Sequence, residues 1–384
     1  MEWRVPLADI DFGAAEEEAA LQVIRSRWLS MGEVTKEFEQ EFALFIGAKH
    51  TLAVTNATAA LHLACLAAGM GPGDEVILPS LTFVATANAV RYTGATPVFA
   101  DIESLDRLTL SPASIEACLT ESTRAILVMH YAGFACDMPA IQEIARKHNL
   151  VVLEDSAHAV GSELEGRSLG TWGAIGCYSF FSNKNMTTGE GGMLATDDDS
   201  LAEKLRILRS HGMTSLSWDR HQGHAYSYDV VALGYNYRID ELRSALGRVQ
   251  LRKLPAGNER RRELTLLYRE LLNELAPKVS LPFSEERGTS CYHILPVLLP
   301  QGTDRLRFME ALKRSGIQTS IHYPPVHRFS IYESEWQRGG SSLPVTEEAA
   351  SREVTLPLYP TMRDEQVHWV AQAVKEALQK MDTK

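Results

Sequence analysis

The chain has 384 residues, 45% of them hydrophobic and 23% charged, with a formal net charge of −11 at pH 7. That length predicts about two domains, and the acidic balance argues against a nucleic-acid surface, which needs clustered Lys and Arg. The longest apolar stretches, such as "ALHLACLAAGM", fall short of a membrane span, and "MEWRVPLADIDFG" lacks a basic segment followed by an apolar one, so a cytoplasmic protein is expected. The cysteines (Cys65, Cys118, Cys136, Cys177, Cys291) lie far apart with no CxxC or zinc spacing. Reduced, buried thiols and no metal centre follow.

In chain order, "HTLAVT" (50–55) predicts a strand running into the helix "ATAALHLACLAAG" (57–69). "DEVILPS" (74–80) leads into "VATANAVRYTG" (84–94), and then come "TPVFADI" (96–102), "TRAILVMHYAG" (123–133) and the helix "MPAIQEIARKHN" (138–149). "LVVLED" (150–155), "AIGCYSFF" (174–181) and "GGMLATD" (191–197) continue the strands. Short, continuous apolar runs separated by helices indicate a mostly parallel sheet covered on both faces, an α/β doubly wound pattern. From about Ile239 two long helical patterns follow, 239–254 and 259–275, interrupted by "PAGN". A strand "CYHILPVLLP" (291–300), a helix (304–316), a strand "IQTSIHY" (317–323) and a final helix (364–380) complete a smaller α+β unit. The expected domains are 1–250, including an N-terminal segment packed back onto the large domain, and 251–384, with a helix bridging them.

In an open α/β sheet, ligands bind beyond the carboxyl ends of the strands, so residues just after each strand matter most. After the first strand, Asn56-Ala57-Thr58-Ala59 opens a helix whose free N–H groups and positive end suit a phosphate, with the Thr58 hydroxyl as a further donor. A plain helix cap by Thr58 is the alternative. Phe83 follows the next strand as an aromatic that either packs or stacks on a ligand. "EDSAHAVGS" ends a strand on Asp155 with His158 three residues on. A carboxylate there needs a cationic partner, which a protonated ring nitrogen would provide, unless it only caps a short helix.

"FFSNKNMTTGEGGML" (180–194) puts Lys184 just after a strand ending at Ser179 and just before a glycine-rich turn. No GxGxxG follows the first strand, and "TTGEGG" lacks the Gly-Lys-Ser/Thr ending of a nucleotide-triphosphate loop. A phosphate nest, a stacking aromatic, a carboxylate and an amine remain. Together they match what pyridoxal 5′-phosphate requires: phosphate held, ring stacked, ring nitrogen protonated, aldehyde bonded.

The same motifs, with "GEVTKEFEQEFALFIGAKH", "GPGDEVILPSLTFVATANAV", "LGYNYRIDELRSALGRVQL", "HYPPVH" and "VTLPLYP", appear in an order and spacing that resembles the DegT/DnrJ/EryC1/StrS sugar aminotransferases, which are fold-type I pyridoxal-phosphate enzymes. The resemblance implies Lys184 as Schiff-base lysine and proton shuttle, Asp155 as partner of the ring nitrogen, and Phe83 as the stacking aromatic. It puts Thr58, Ala59 and Ser179 at phosphate-binding positions and His158 beside the cofactor. Asn236 matches an asparagine that reaches the phosphate of the neighbouring subunit, so a homodimer with shared sites is implied. His322 and Tyr323 in "IHYPPVH" fall on the substrate side, with packing the alternative for His322 and His327. The implied reaction moves an amino group from glutamate (or glutamine) to a nucleotide-linked keto-sugar, with pyridoxamine phosphate as the intermediate cofactor form. The "NK…TTGEGGM" version leans toward C4 of a 4-keto-6-deoxyhexose, while C3-keto sugars and cyclitol ketones share most motifs. A dehydrating relative or a non-catalytic regulatory relative is disfavoured by the retained Lys184 and the absence of a cysteine cluster.

Overall fold

The computed structural model describes residues 3–214, 227–274, 279–336 and 342–382. Helices α1 (Ala14–Ser26) and α2 (Glu33–Ile46) come first. Next are β1 (His50–Val54), α3 (Ala57–Ala67), β2 (Glu75–Pro79), α4 (Val84–Tyr92), β3 (Thr96–Ala100), α5 (Pro112–Ala117), β4 (Thr123–Met129), α6 (Met138–His148) and β5 (Val151–Asp155). A short hairpin, β6 (Glu163–Leu164) and β7 (Arg167–Ser168), precedes β8 (Ile175–Ser179), β9 (Gly192–Thr196) and α7 (Asp199–Arg209).

Seven of these strands form one sheet in the order β1-β9-β8-β5-β4-β2-β3. Only β9 runs against its neighbours, so the sheet is mixed but mostly parallel, as the apolar runs predict. Alternate residues of one strand feed different cores. On β4, Ala125 and Leu127 join a cluster with Leu61 and Ala64 of α3, while Ile126 and Val128 join one with Ile141 and Ile144 of α6. Both faces are therefore covered, which is why these strands read as continuous apolar runs.

The C-terminal part departs from the expected pattern in two places. The two long helical patterns are one helix, α8 (Glu241–Asn273), which runs through Pro255. An interior proline costs a helix roughly 3 kcal/mol, but anchors on both sides oppose a break. Before Pro255, Arg248 Nη2 bonds Glu41 at 2.7 Å and Gln250 bonds Glu16 at 2.9 Å; after it, Arg260 bonds Asp364 at 2.6 Å.

The second departure is "IQTSIHY". Of the expected strand there remain isolated bridges from Ile317 to Val5 and from Ser320 to Thr355. The ladder stops because side chains take the next backbone groups: Glu353 accepts the His322 N–H at 2.8 Å, and the Tyr131 hydroxyl donates to the His322 carbonyl. The small sheet instead pairs β10 (Leu295–Leu298) with β11 (Glu353–Leu356). Helices α9 (Arg305–Arg314), α10 (Ser330–Trp336), α11 (Pro344–Arg352) and α12 (Asp364–Asp382) complete this part. The N-terminal segment is divided. Helix α2 packs on β1, whereas Val5 lies in a core shared with Phe308 and Val370 of the C-terminal part, beside the expectation that this segment packs on the large domain. Among the described residues, no helix is long and apolar enough to cross a membrane.

The start of α2 is held from a distance. Its cap residue, Gly32, has no side chain to offer, and Glu241 of α8 supplies the acceptor. That buried carboxylate takes N–H groups from Gly32, Val34 and Thr35 at 2.8–2.9 Å and the Thr35 hydroxyl at 2.6 Å. Glu241→Ala is expected to lower stability by about 3 kcal/mol, since several buried donors lose their partner. Glu259→Ala, which breaks an exposed pair with Arg262, should cost less than about 1 kcal/mol. Urea unfolding of both variants checks this, and similar midpoints for the two would contradict it.

Candidate active site

A cavity of about 480 Å³ opens where β1, β2, β5 and β8 end, as the topology requires of an open parallel sheet. At its β1 side, α3 begins with Asn56, whose Oδ1 accepts the Ala59 N–H at 2.9 Å. Asn56, not Thr58, is therefore the cap. Ala59, expected at the phosphate, is buried with its N–H engaged by the cap, and it is not among the residues lining the cavity. The N–H groups of Ala57 and Thr58, in the first helical turn, have no intrahelical acceptor, and both residues line the cavity. Ser179, the last residue of β8, lines it too.

This cradle depends on Gly192. A Cβ there would lie 2.6 Å from the Asn56 carbonyl carbon and 2.8 Å from the Ala57 nitrogen, so β9 can approach the start of α3 only as glycine. Gly189, at φ 79°, makes the turn that precedes it.

Asp155 ends β5 and is buried. Thr86 of α4 donates its hydroxyl to Oδ2 at 2.7 Å, and the Ala157 N–H reaches Oδ1 at 3.1 Å. Burial pushes this carboxyl above its ordinary value, against the lowering effect of those two donors and of the charge on Lys184. No lysine or arginine forms an ion pair with it among the described residues. A buried carboxyl with hydrogen bonds but no counter-ion is costly, and a cation in the cavity would ionise it.

Lys184 projects from the loop between β8 and β9, and its backbone N–H closes a turn onto the Phe181 carbonyl at 2.9 Å. Part of its surface opens to the cavity, yet burial pulls the amine down to about 8, with Asp155 opposing. Its Nζ lies 3.4 Å from Nε2 of His293.

His158 is buried and held well below its usual value by that burial. The Ala132 N–H donates to its Nδ1 at 3.3 Å, so the ring proton sits on Nε2, 2.9 Å from the Tyr323 hydroxyl. Phe83, half-exposed at the start of α4, faces the Tyr323 ring at 5.8 Å. His322 lines the cavity with Tyr323; its Nδ1 is 2.8 Å from the Thr355 hydroxyl, and burial lowers it to about 4.

The structure thus brings Thr58, Phe83, Asp155, His158, Ser179, Lys184, His322 and Tyr323 to one cavity. It does not bring Asn236 there. That residue is exposed, bridges to Ser210, and does not cap α8, which Asp240 does. His327 packs below, against Ser80 and Glu347. Sequence reading missed Thr86 and His293; the only signal for His293 was a polar ring inside an apolar run. Among the described residues, no group of three or more His, Cys, Asp or Glu is arranged to hold a metal.

A cradle for an anion, a carboxyl lacking its cation and a weakly basic amine bound one space of modest size. A flat, phosphorylated aromatic aldehyde with a basic ring nitrogen suits all three, which is the chemistry of a pyridoxal-phosphate enzyme. The chain belongs to the DegT/DnrJ/EryC1/StrS aminotransferase family, whose model matches residues 11–375 and whose members use pyridoxal phosphate. It is 40% identical, over 96% of each chain, to the spore coat polysaccharide biosynthesis protein SpsC of Bacillus subtilis. PseC of Helicobacter pylori, an aminotransferase of pseudoaminic acid biosynthesis, superimposes with a TM-score of 0.91 at 30% identity, over 99% of this chain and 100% of that one. DesI, solved in the presence of its TDP-sugar product, gives 0.89 at 32% identity over 100% and 94%.

Gly192→Ala is expected to force the start of α3 away and to weaken retention of pyridoxal phosphate at least about tenfold on dialysis, or about 1.4 kcal/mol. Retention equal to wild type would show that β9 does not shape the cradle.

Proposed function

We propose that this protein moves an amino group from glutamate to a nucleotide-linked keto-sugar, with C4 of a 4-keto-6-deoxyhexose as acceptor. The observation that carries the reading is the meeting of the unpaired Asp155 carboxyl and the weakly basic Lys184 amine in one cavity. A nucleotide-sugar acceptor is supported by the likeness to DesI and PseC. Glutamate as donor, with glutamine the alternative, rests on the family, and C4 as position rests on the "NK…TTGEGGM" motif around Lys184.

Pyridoxal phosphate, when bound, supplies a carbonyl for the amino group and a conjugated ring for the electron pair. The N–H groups of Ala57 and Thr58, with the Thr58 and Ser179 hydroxyls, would hold the phosphate at the positive end of α3. Asp155 would keep the ring nitrogen protonated. Phe83 and His158 offer flat surfaces to the ring, and the neutral His158 adds no charge to compete with Asp155. Lys184, increasingly neutral as pH rises through about 8, would hold the carbonyl end of the group and could carry a proton on Nζ when free. His322 and Tyr323 contact the sugar.

The same reading makes the protein a cytoplasmic homodimer in which Asn236 completes its neighbour's phosphate site. The exposure of Asn236 away from its own chain's cavity supports this. We divide the chain into a cofactor domain, 1–250, and a smaller domain, 251–384, joined by α8.

Incubation with glutamate, pyridoxal phosphate and a panel of nucleotide-linked keto-sugars, followed by NMR of the product, tests the reaction. An amine at C4 is expected. An amine at C3 would reassign the position, and no aminated product from any of them would refute the substrate class. Asp155→Asn should retain cofactor but lower turnover by orders of magnitude, because the ring nitrogen loses its counter-ion. Turnover within a factor of about three of wild type would contradict the role, since a lost transition-state ion pair should cost over about 1 kcal/mol.

A further inference from the structure

Two backbone carbonyls set the orientation of a chain of side chains that ends at Lys184. The Val160 carbonyl accepts from Asn258 Nδ2 at 3.1 Å, which turns the Asn258 Oδ1 toward Asn185. Asn185 Nδ2 donates to that oxygen at 2.7 Å and to the Cys291 carbonyl at 2.8 Å. Carbonyl oxygens only accept, so both amide orientations are determined. Asn185 therefore presents Oδ1 to His293 Nδ1, 2.8 Å away, and the ring proton must sit on Nδ1. The lone pair of Nε2 is left facing the Lys184 amine at 3.4 Å.

We propose that His293 is a positioning residue for Lys184: its Nε2 lone pair accepts an N–H from the free lysine amine and holds that amine at the cavity whenever it is not bonded to the cofactor. His293 can do this only as a neutral ring of one tautomer. Burial keeps it neutral, reinforced by the neighbouring His158, Lys184, Arg261 and His322. The His158 ring is 4.2 Å away, and Arg261 donates to the His293 carbonyl at 3.3 Å. Asp155 and Cys291 are the other titratable groups acting on Lys184. The relay also gives "PAGN" a role, since Asn258 is its last residue, and it ties the loop bearing Lys184 to α8 and to the segment before β10.

The inference rests on Lys184 as the reactive amine of the proposed reaction, so its test is run on the cofactor-free full chain. Competitive labelling with acetic anhydride across a pH series, with peptide mapping, reads the titration midpoint of Lys184 directly. His293→Gln places a carbonyl near the Nε2 position, whereas His293→Asn keeps only a group near Nδ1, able to bond Asn185 but too short for Lys184. Losing an acceptor disfavours the ammonium form, so His293→Asn should lower the midpoint by about one pH unit. His293→Gln should stay with wild type. A purely structural role through Asn185 predicts the reverse, with asparagine the better replacement. An unchanged midpoint in His293→Asn, or equal shifts in both variants, overturns the proposal. Neutron diffraction of the unmutated protein needs no variant to fold: deuterium on Nδ1 supports the assignment, and deuterium on Nε2 overturns it. Failure of these tests leaves the aminotransferase reaction standing, and a failed sugar panel leaves this hydrogen-bond assignment standing.

Discussion

The carboxyl of Asp155 lies at the end of a central strand, out of water and, among the described residues, without an ion-pair partner. A folded chain keeps such a group only if something else lowers its cost. Two donors do part of this, Thr86 from α4 and the Ala157 N–H. The remainder is an unmet demand for positive charge facing the cavity, and the neighbouring features can be understood from that demand. Lys184 meets it only in part, because burial weakens its basicity. His158 cannot, because burial and the Ala132 N–H keep it neutral. A cationic ring bound between them can.

The cavity walls come from both parts of the chain, which makes the long-range contacts functional. Strand ends of the large sheet supply Asp155 and Ser179, while His322 and Tyr323, and His293 against the Lys184 amine, arrive from beyond α8. Each of the latter is fixed by buried polar contacts: Glu353 and Thr355 hold His322, Asn185 holds His293, and His158 holds Tyr323. Helix α8 joins the two sets. Glu241 at its start anchors α2, and Asn258 just past its proline reaches the loop of Lys184.

Much of this was legible because strand-end logic is local. Strand ends followed by a polar or aromatic residue pointed to Asp155, Ser179, Phe83 and Lys184, and the helix opening at Asn56 pointed to Thr58, all of which line one cavity. The failures have physical causes. At Ala59 a capping side chain competes for the same N–H groups that would bind an anion. The proline break was misjudged because tertiary anchors on both sides outweighed a local preference. "IQTSIHY" has the strand pattern, but side chains far away in sequence captured its backbone. Thr86 and His293 matter only through partners many residues distant, which no local pattern records. Asn236 differs again: its expected role lies with a second subunit, beyond what one chain can display.

The account stands or falls on Lys184 as the residue that bonds the cofactor. Borohydride reduction of the protein loaded with pyridoxal phosphate, followed by peptide mapping, reads this directly. A pyridoxyl group on Lys184 is the predicted result, and one on any other lysine, or on none, would contradict the account.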